Sequence, residues 1–370
     1  VAWAAGAALV VGGGTAGIVI AAQGSGQAPA GTTAAPVAAA HAAAASLRLV
    51  SISAVPASAN TGSPAINGAA DITVTYNEPL PATAPLPTVS PAIAGSWQRK
   101  GDTVVFTPAT GFPAGTHIMV AATAGDGKAS FSSFTTADYS TLRLQEILTQ
   151  LGYLPMTWIP AAGATLPGAN AAAQLSAAYA PPAGTFTWQQ GFPAQLYSMW
   201  SQGRANILDK GAIMGFESDH GLSINGVAGT AVWKALLTAA AKNQQNAHGY
   251  SYAIANQHQP ETLTIWHNGK KVFSSPANTG IAASPTGPGT FPVYLKLPFQ
   301  VMSGTNPDGS TYADPVEWVS YFEGGDAVHY YPRGSYGWPQ SLGCVELPYD
   351  AAKNAYPYLP YGTLVTVTPE

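Results

Sequence analysis

The stretch HYYPRGSYGWPQSLGC, residues 329–344, ends in the only cysteine of the 370-residue chain. A thiol becomes an effective nucleophile when ionised, and a histidine close by can take its proton or hold the thiolate as an ion pair. His329 and Cys344 are the candidate partners. Gly343 directly before the thiol permits close backbone approach, and successive backbone N–H groups there could face a developing oxyanion. Together with Ser341, the hydroxyl, glycine and thiol form a compact candidate for acyl transfer. The competing reading is a small buried cysteine and a structural histidine, which is common for residues of these types.

The elements that must position these residues are strands. Leu263 and Ile265 precede Asn268-Gly269, and Lys271, Val272 and Phe273 follow; Asn-Gly between apolar runs is a strong hairpin signal. Leu364 to Val367 supplies a terminal strand. Upstream, Leu144, Ile147, Leu148 and Leu151 recur at helical spacing and Gly152 stops the helix. A Pro/Ala/Gly-rich stretch from Pro155 to Gly184 interrupts, and Thr230 is the expected cap of a helix carrying Trp233, Leu236 and Leu237. Asp219 and His220 lack further ligands at suitable spacing, so they read as solvated helix-end residues rather than a metal pair. Between Leu49 and Thr136, Ile72, Val74 and Tyr76, then Val104 and Phe106, then Ile118 and Val120 alternate with period two, as in a half-buried antiparallel sandwich.

At the N-terminal side, residues 1–22 carry no charge and would reach across a membrane as a helix. They read as an anchor in preference to a signal peptide, because no clean A-x-A site ends the stretch. Residues 23–47, made almost wholly of small residues and proline, read as a linker. Only 9% of the chain is charged and the net charge is -4, which excludes an electrostatic footprint for nucleic acid. No cofactor is expected, and the protein is expected to be an extracytoplasmic monomer. A lone thiol in that compartment must be buried, paired with another chain, or reactive.

Three resemblances sharpen this picture. Residues 250–370 resemble the catalytic domain of the L,D-transpeptidases, whose pattern is a histidine followed by Ser/Thr-His-Gly-Cys and an apolar residue; His329, Ser341, Gly343, Cys344 and Val345 match. NTGIAASPTGPGTFPVY and GCVELPYDAAKNAYPYLPYGTLVTV are similar to two further segments of that family, in the same order. Residues 138–245 resemble a peptidoglycan-binding helical domain, through LQEILTQLGYL and through Phe216, Gly221, Leu222, Gly226, Gly229 and Trp233, with a long insertion. Residues 48–137 resemble the bacterial Ig-like spacers. The chain departs from the transpeptidase pattern at Leu342, where a histidine is usual, at Tyr330, where a small residue is common, and at Glu346, where arginine or asparagine is frequent.

The resemblance implies a multidomain chain: membrane segment, all-β Ig-like sandwich, small helical domain and mainly-β catalytic domain. It implies that Cys344 attacks a tetrapeptide stem of peptidoglycan and releases D-alanine, with His329 as base, the Tyr330 carbonyl orienting the imidazole, and Ser341 supporting the cysteine loop. Transfer to an amine of another stem gives a three-to-three cross-link; water as acceptor makes a carboxypeptidase. Arg333 is a candidate for a stem carboxylate, and Trp318, Tyr321, Phe322, Trp338 and Leu342 are candidates to line the cleft, although aromatics at such spacings also build cores. Partners are then stem peptides, glycan and, through residues 1–22, a membrane. Papain-like peptidases place cysteine before histidine, and sortases need a later arginine, which no residue after Cys344 provides. The alternative in another class is a non-catalytic wall-binding protein in which Leu342 and Glu346 mark lost activity.

Overall fold

The computed structural model describes residues 47–54 and 65–369. The expected membrane segment and nearly all of the expected linker lie outside them, and among the described residues no helix is long and apolar enough to cross a membrane. Two compact units divide between Tyr139 and Ser140.

The first unit is all β. Its strands are β1 (Leu49–Ala54), β2 (Ile72–Tyr76), β3 (Thr88–Ser90), β4 (Gly95–Lys100), β5 (Thr103–Pro108), β6 (His117–Thr123) and β7 (Ala129–Thr135). They form two antiparallel sheets, ordered β1-β2-β5-β4 and β3-β6-β7. The period-two residues point inward from both: Ile72, Val74, Val104 and Phe106 from one sheet meet Ile118, Val120 and Phe134 from the other in a single core.

The second unit starts with helices and a short hairpin: α1 (Thr141–Gln150), β8 (Met156–Pro160), α2 (Ala171–Tyr179), β9 (Gly184–Trp188), α3 (Ala194–Ser198), α4 (Ile207–Asp219) and α5 (Thr230–Lys242). Helix α1 buries Leu144, Ile147 and Leu148, and Gly152 at φ +80° lets the chain turn off its end. One expectation needs correction. Thr230 is the first helical residue of α5 and caps nothing; Gly229 holds the cap position. The Pro/Ala/Gly-rich insertion builds elements of its own: Thr157 and Ile159 pair with Thr187 and Thr185 across the β8–β9 ladder, and Asn170 caps α2 by accepting from the Ala173 amide.

The remaining strands follow: β10 (Ser251–Asn256), β11 (Thr262–His267), β12 (Lys270–Pro276), β13 (Gly289–Pro292), β14 (Leu295–Thr305), β15 (Thr311–Glu323), β16 (Asp326–Tyr330) and β17 (Val345–Leu347), then α6 (Tyr349–Ala355) and β18 (Leu364–Thr368). Asn268 and Gly269, both at positive φ, make the expected two-residue turn between β11 and β12. The sheets are ordered β12-β11-β10-β18-β13 and β14-β15-β16-β17. Strand β18 runs parallel to β10 and is flanked on its other side by β13. Leu263, Ile265, Val365 and Val367 from one sheet pack with Val328, Val345 and Leu347 from the other, and α6 adds Ala352 and Ala355.

The helices and the catalytic sheets share one unit. Helix α4 meets the loop before β18 through paired glycines: a Cβ on Gly362 would stand 2.0 Å from the Gly211 carbonyl oxygen, so neither backbone leaves room for a side chain. A cavity of about 230 Å³ lies along this seam, lined among others by Tyr153, Asp219, His248 and Lys296; Cys344 is not part of it.

Candidate active site

Strands β16 and β17 are adjacent and parallel, with His329 opposite Glu346 and Val328 opposite Val345. Side chains alternate along a strand, so Ala327, His329 and Tyr331 share one face while Val328 and Tyr330 face the main core. Ala327 and Tyr331 pack with Cys344 in a second, smaller cluster. The histidine on β16 and the cysteine just before β17 therefore lie on the same side of the sheet.

His329 is only 3% exposed. Its Nδ1 lies 2.8 Å from the Tyr330 carbonyl oxygen, which can only accept, so Nδ1 carries the proton and Nε2 keeps the lone pair. Burial pushes the imidazole below its ordinary range, partly offset by that backbone bond and by Glu346. The ring is accordingly neutral at neutral pH.

The cysteine loop is held from below by hydroxyls. Ser341 Oγ donates to the Cys344 carbonyl at 2.6 Å and accepts from the Gly343 amide at 3.1 Å. Thr286 Oγ1 donates to the Gly343 carbonyl at 2.6 Å, and Ser284 Oγ to the Leu342 carbonyl at 2.9 Å. Thr279, in turn anchored on the buried Glu261 carboxylate, accepts from the Gln340 and Ser341 amides. The segment SPTG thus serves as the floor of the loop. One expectation changes here: the Gly343 N–H is turned onto Ser341 Oγ, so it is not free to face an oxyanion. The φ of +120° at Gly343 rotates its amide inward.

The Cys344 thiol is half-buried against Val316, Val319, Tyr321 and Ala327, and its sulfur lies 3.9 Å from the Gly325 carbonyl oxygen. No hydrogen bond joins it to His329 among the described residues. Burial pushes the thiol up to about 12, with the carboxylates of Asp326 and Glu346 adding to the rise and a bond from the Ala327 backbone opposing it. The resting pair is a neutral thiol and a neutral imidazole.

The substrate-facing candidates separate into three groups. Tyr321 packs beside Cys344 and its hydroxyl donates to Gln300 Oε1, while Trp338 is 43% exposed and Leu342 half-buried. Trp318 and Phe322 do not line this face; they pack in the main core, Trp318 against Tyr349 and Tyr356 and Phe322 against Phe291. Arg333 is engaged by a carboxylate of the chain itself. It makes a bidentate pair with Glu346, Nε to Oε2 at 2.7 Å and a terminal nitrogen to Oε1 at 2.8 Å, donates to the Gln340 carbonyl at 2.9 Å, and stacks 4.7 Å from the Tyr331 ring.

Sequence reasoning missed Asp326, whose carboxylate presses on Gly343: a Cβ there would be 2.2 Å from Oδ1. The signal was present as Glu323-Gly-Gly-Asp326, a two-residue turn that sets two acids opposite each other.

Residues 250–367 match the family model for the YkuD L,D-transpeptidase catalytic domain. This region is an L,D-transpeptidase catalytic domain. Solved structures similar to the chain include an L,D-transpeptidase from Mycobacterium smegmatis, 15% identical over 87% of this chain and 99% of that one, with a TM-score of 0.30. They also include L,D-transpeptidase 3 from Mycobacterium tuberculosis in complex with a faropenem-derived adduct, 14% identical over 87% and 98%, TM-score 0.30. A third is the catalytic domain of an E. faecium L,D-transpeptidase, 25% identical over 32% of this chain and 96% of that one, again at 0.30. No curated protein matches the chain in sequence. In this L,D-transpeptidase domain, the matched segment contains β10 to β18 almost entire, and with them His329, Ser341, Gly343 and Cys344.

Proposed function

We propose that the chain is an extracytoplasmic peptidoglycan L,D-transpeptidase that works through a Cys344 thioester. The observation that carries this reading is His329 on β16 beside Cys344, the residue that leads into the adjacent parallel strand β17, with Nδ1 tied to the Tyr330 carbonyl and Nε2 left as the base. Because thiol and imidazole both rest neutral, the proton moves as the sulfur attacks. Cys344 Sγ bonds to the stem carbonyl carbon, Nε2 takes the thiol proton, and the tetrahedral centre collapses with loss of D-alanine, whose nitrogen receives that proton. An amine of a second stem then takes the acyl group and forms the three-to-three cross-link. Ser341 holds the loop that carries the nucleophile, and Tyr321, Trp338 and Leu342 border the stem.

The rest of the chain fits the same proposal as an address: residues 48–137 as an Ig-like spacer, 138–245 as a peptidoglycan-binding domain, and the stretch 1–22, outside the described residues, as an anchor. Tethering an enzyme near an immobile polymer raises its effective concentration there.

A second reading has one observation in its favour. A thiol pushed up to about 12 with no bond to His329 suits a wall-binding protein that has lost catalysis. Intact-protein mass after incubation with a carbapenem separates the two. One covalent adduct on the parent and none on Cys344→Ala is expected; an unmodified, folded parent would leave the wall-binding reading in place.

A further inference from the structure

Asp326 is a carboxylate that the fold does not use. Its carboxylate is half-buried, yet among the described residues it makes no side-chain hydrogen bond and no ion pair. Its position is expensive: it sits across the Gly324-Gly325 turn from Glu323, against Gly343, and close enough to Cys344 to oppose ionisation of the thiol. Burial and Glu323 together raise its own carboxyl to about 6. A charge that disfavours both the nucleophile's active form and the fold persists when a ligand of opposite sign completes it. Glu346 also opposes ionisation of the thiol, but it is paired with Arg333, whereas among the described residues no lysine or arginine pairs with Asp326.

We propose that Asp326 is the docking site for the acyl acceptor's ammonium group, so that it selects a cationic amine over water once Cys344 carries the acyl group. This deepens the transpeptidase reading and rests on it. In the transfer step an R–NH3⁺ acceptor enters beside the thioester and pairs with Asp326. It loses one proton to solvent, its nitrogen bonds to the carbonyl carbon, and the C–S bond breaks. Cys344 leaves as thiolate and recovers a proton from the new amide nitrogen through His329 Nε2. The same carboxylate hinders the first half-reaction by holding the thiol protonated, so removing its charge acts on the two halves in opposite directions.

The test is made on the full chain with Asp326→Asn, which keeps shape and removes charge, and with Asp326→Glu, which keeps charge. Acylation is read as carbapenem adduct formation by mass. Transfer is read from a tetrapeptide-stem acyl-enzyme to two acceptors, a stem bearing a side-chain ammonium and hydroxylamine, which is neutral at pH 7.5. In Asp326→Asn, faster acylation is expected together with a half-saturating stem-amine concentration raised about tenfold, the scale of one charge-assisted contact. Hydroxylamine transfer should be unchanged, and Asp326→Glu should retain most of the preference for the charged amine. On the parent alone, added salt should weaken transfer to the ammonium acceptor and leave hydroxylamine unaffected. Equal effects on both acceptors, or a parent whose ammonium transfer ignores salt, would overturn the assignment. A parent that forms no adduct would overturn the acyl-enzyme reading and this one with it; a parent that does, with acceptor choice indifferent to Asp326, would overturn this one alone.

Discussion

Cys344 rests as a thiol in this fold, and its surroundings say how that can be measured. Burial pushes this thiol well above the ordinary range, to about 12, so its thiolate fraction at neutral pH is far below that of a solvated thiol. Iodoacetamide, which needs thiolate, should therefore label the native protein slowly at pH 7 and about tenfold faster for each unit of pH up to about 12, while urea-unfolded protein labels at the ordinary rate. Equal native and unfolded rates at pH 7 would remove the argument for a proton that moves during attack. Asp326 has a stability signature of the same origin. Its folded carboxyl titrates at about 6 against a usual 3.8, so the fold prefers the protonated form. That preference stabilises fully below about pH 4 and is lost as pH rises through about 6, leaving ionised Asp326 a net cost at neutral pH. Asp326→Asn should raise stability by roughly 1–2 kcal/mol at pH 7.5, with the gain shrinking towards zero below pH 4; a gain independent of pH would mean that charge is not the cause.

At the scale of elements, the loop between β16 and β17 is fastened by Arg333 to Glu346, and Glu346 is itself bound through its backbone to Asn278. Glu346→Arg, which installs the residue frequent in the family, would set two guanidinium groups side by side. A loss of about 2–4 kcal/mol and slower acylation are expected, since breaking a largely buried pair strands one charge. Adding Arg333→Glu to that variant should restore much of both, and denaturant titration of the four proteins measures the coupling. This pair also shows where sequence reading stops. The Asn268-Gly269 hairpin, helix α1 and the period-two strands were legible because each signal lies within a few residues and backbone geometry decides it. Arg333 and Glu346 were each visible as departures, but their meeting depends on how the intervening loop folds. Likewise Trp318 and Phe322 could not be assigned to core or cleft, because irregular pairing in β15 between Glu317 and Ser320 and between Tyr321 and Glu323 breaks the simple alternation. The histidine, serine, glycine and cysteine were found by type and order alone; Asp326 was not, since nothing in the pattern asked for a carboxylate.

For the whole molecule, the division at Tyr139 and Ser140 has a direct consequence. A chain of residues 140–370 should unfold in one cooperative transition and take a carbapenem adduct at the rate of the full protein, while losing activity on intact wall if the remaining residues serve as an address. Cutting instead between helices and catalytic strands, near residue 248, should destabilise the catalytic domain, because α4 packs its glycines onto the loop before β18. That last strand has a further consequence in time. Strand β18 lies between β10 and β13, inside its sheet, although it is made after every other strand of that sheet. On the ribosome the first unit can finish folding while β10 and β13 still lack their shared neighbour, so the segment bearing His329 and Cys344 is made before the sheet behind it can close. Acylation competence should thus arrive abruptly with the final strand, and a nascent chain stalled before Leu364 would expose two unpaired β edges to chaperones.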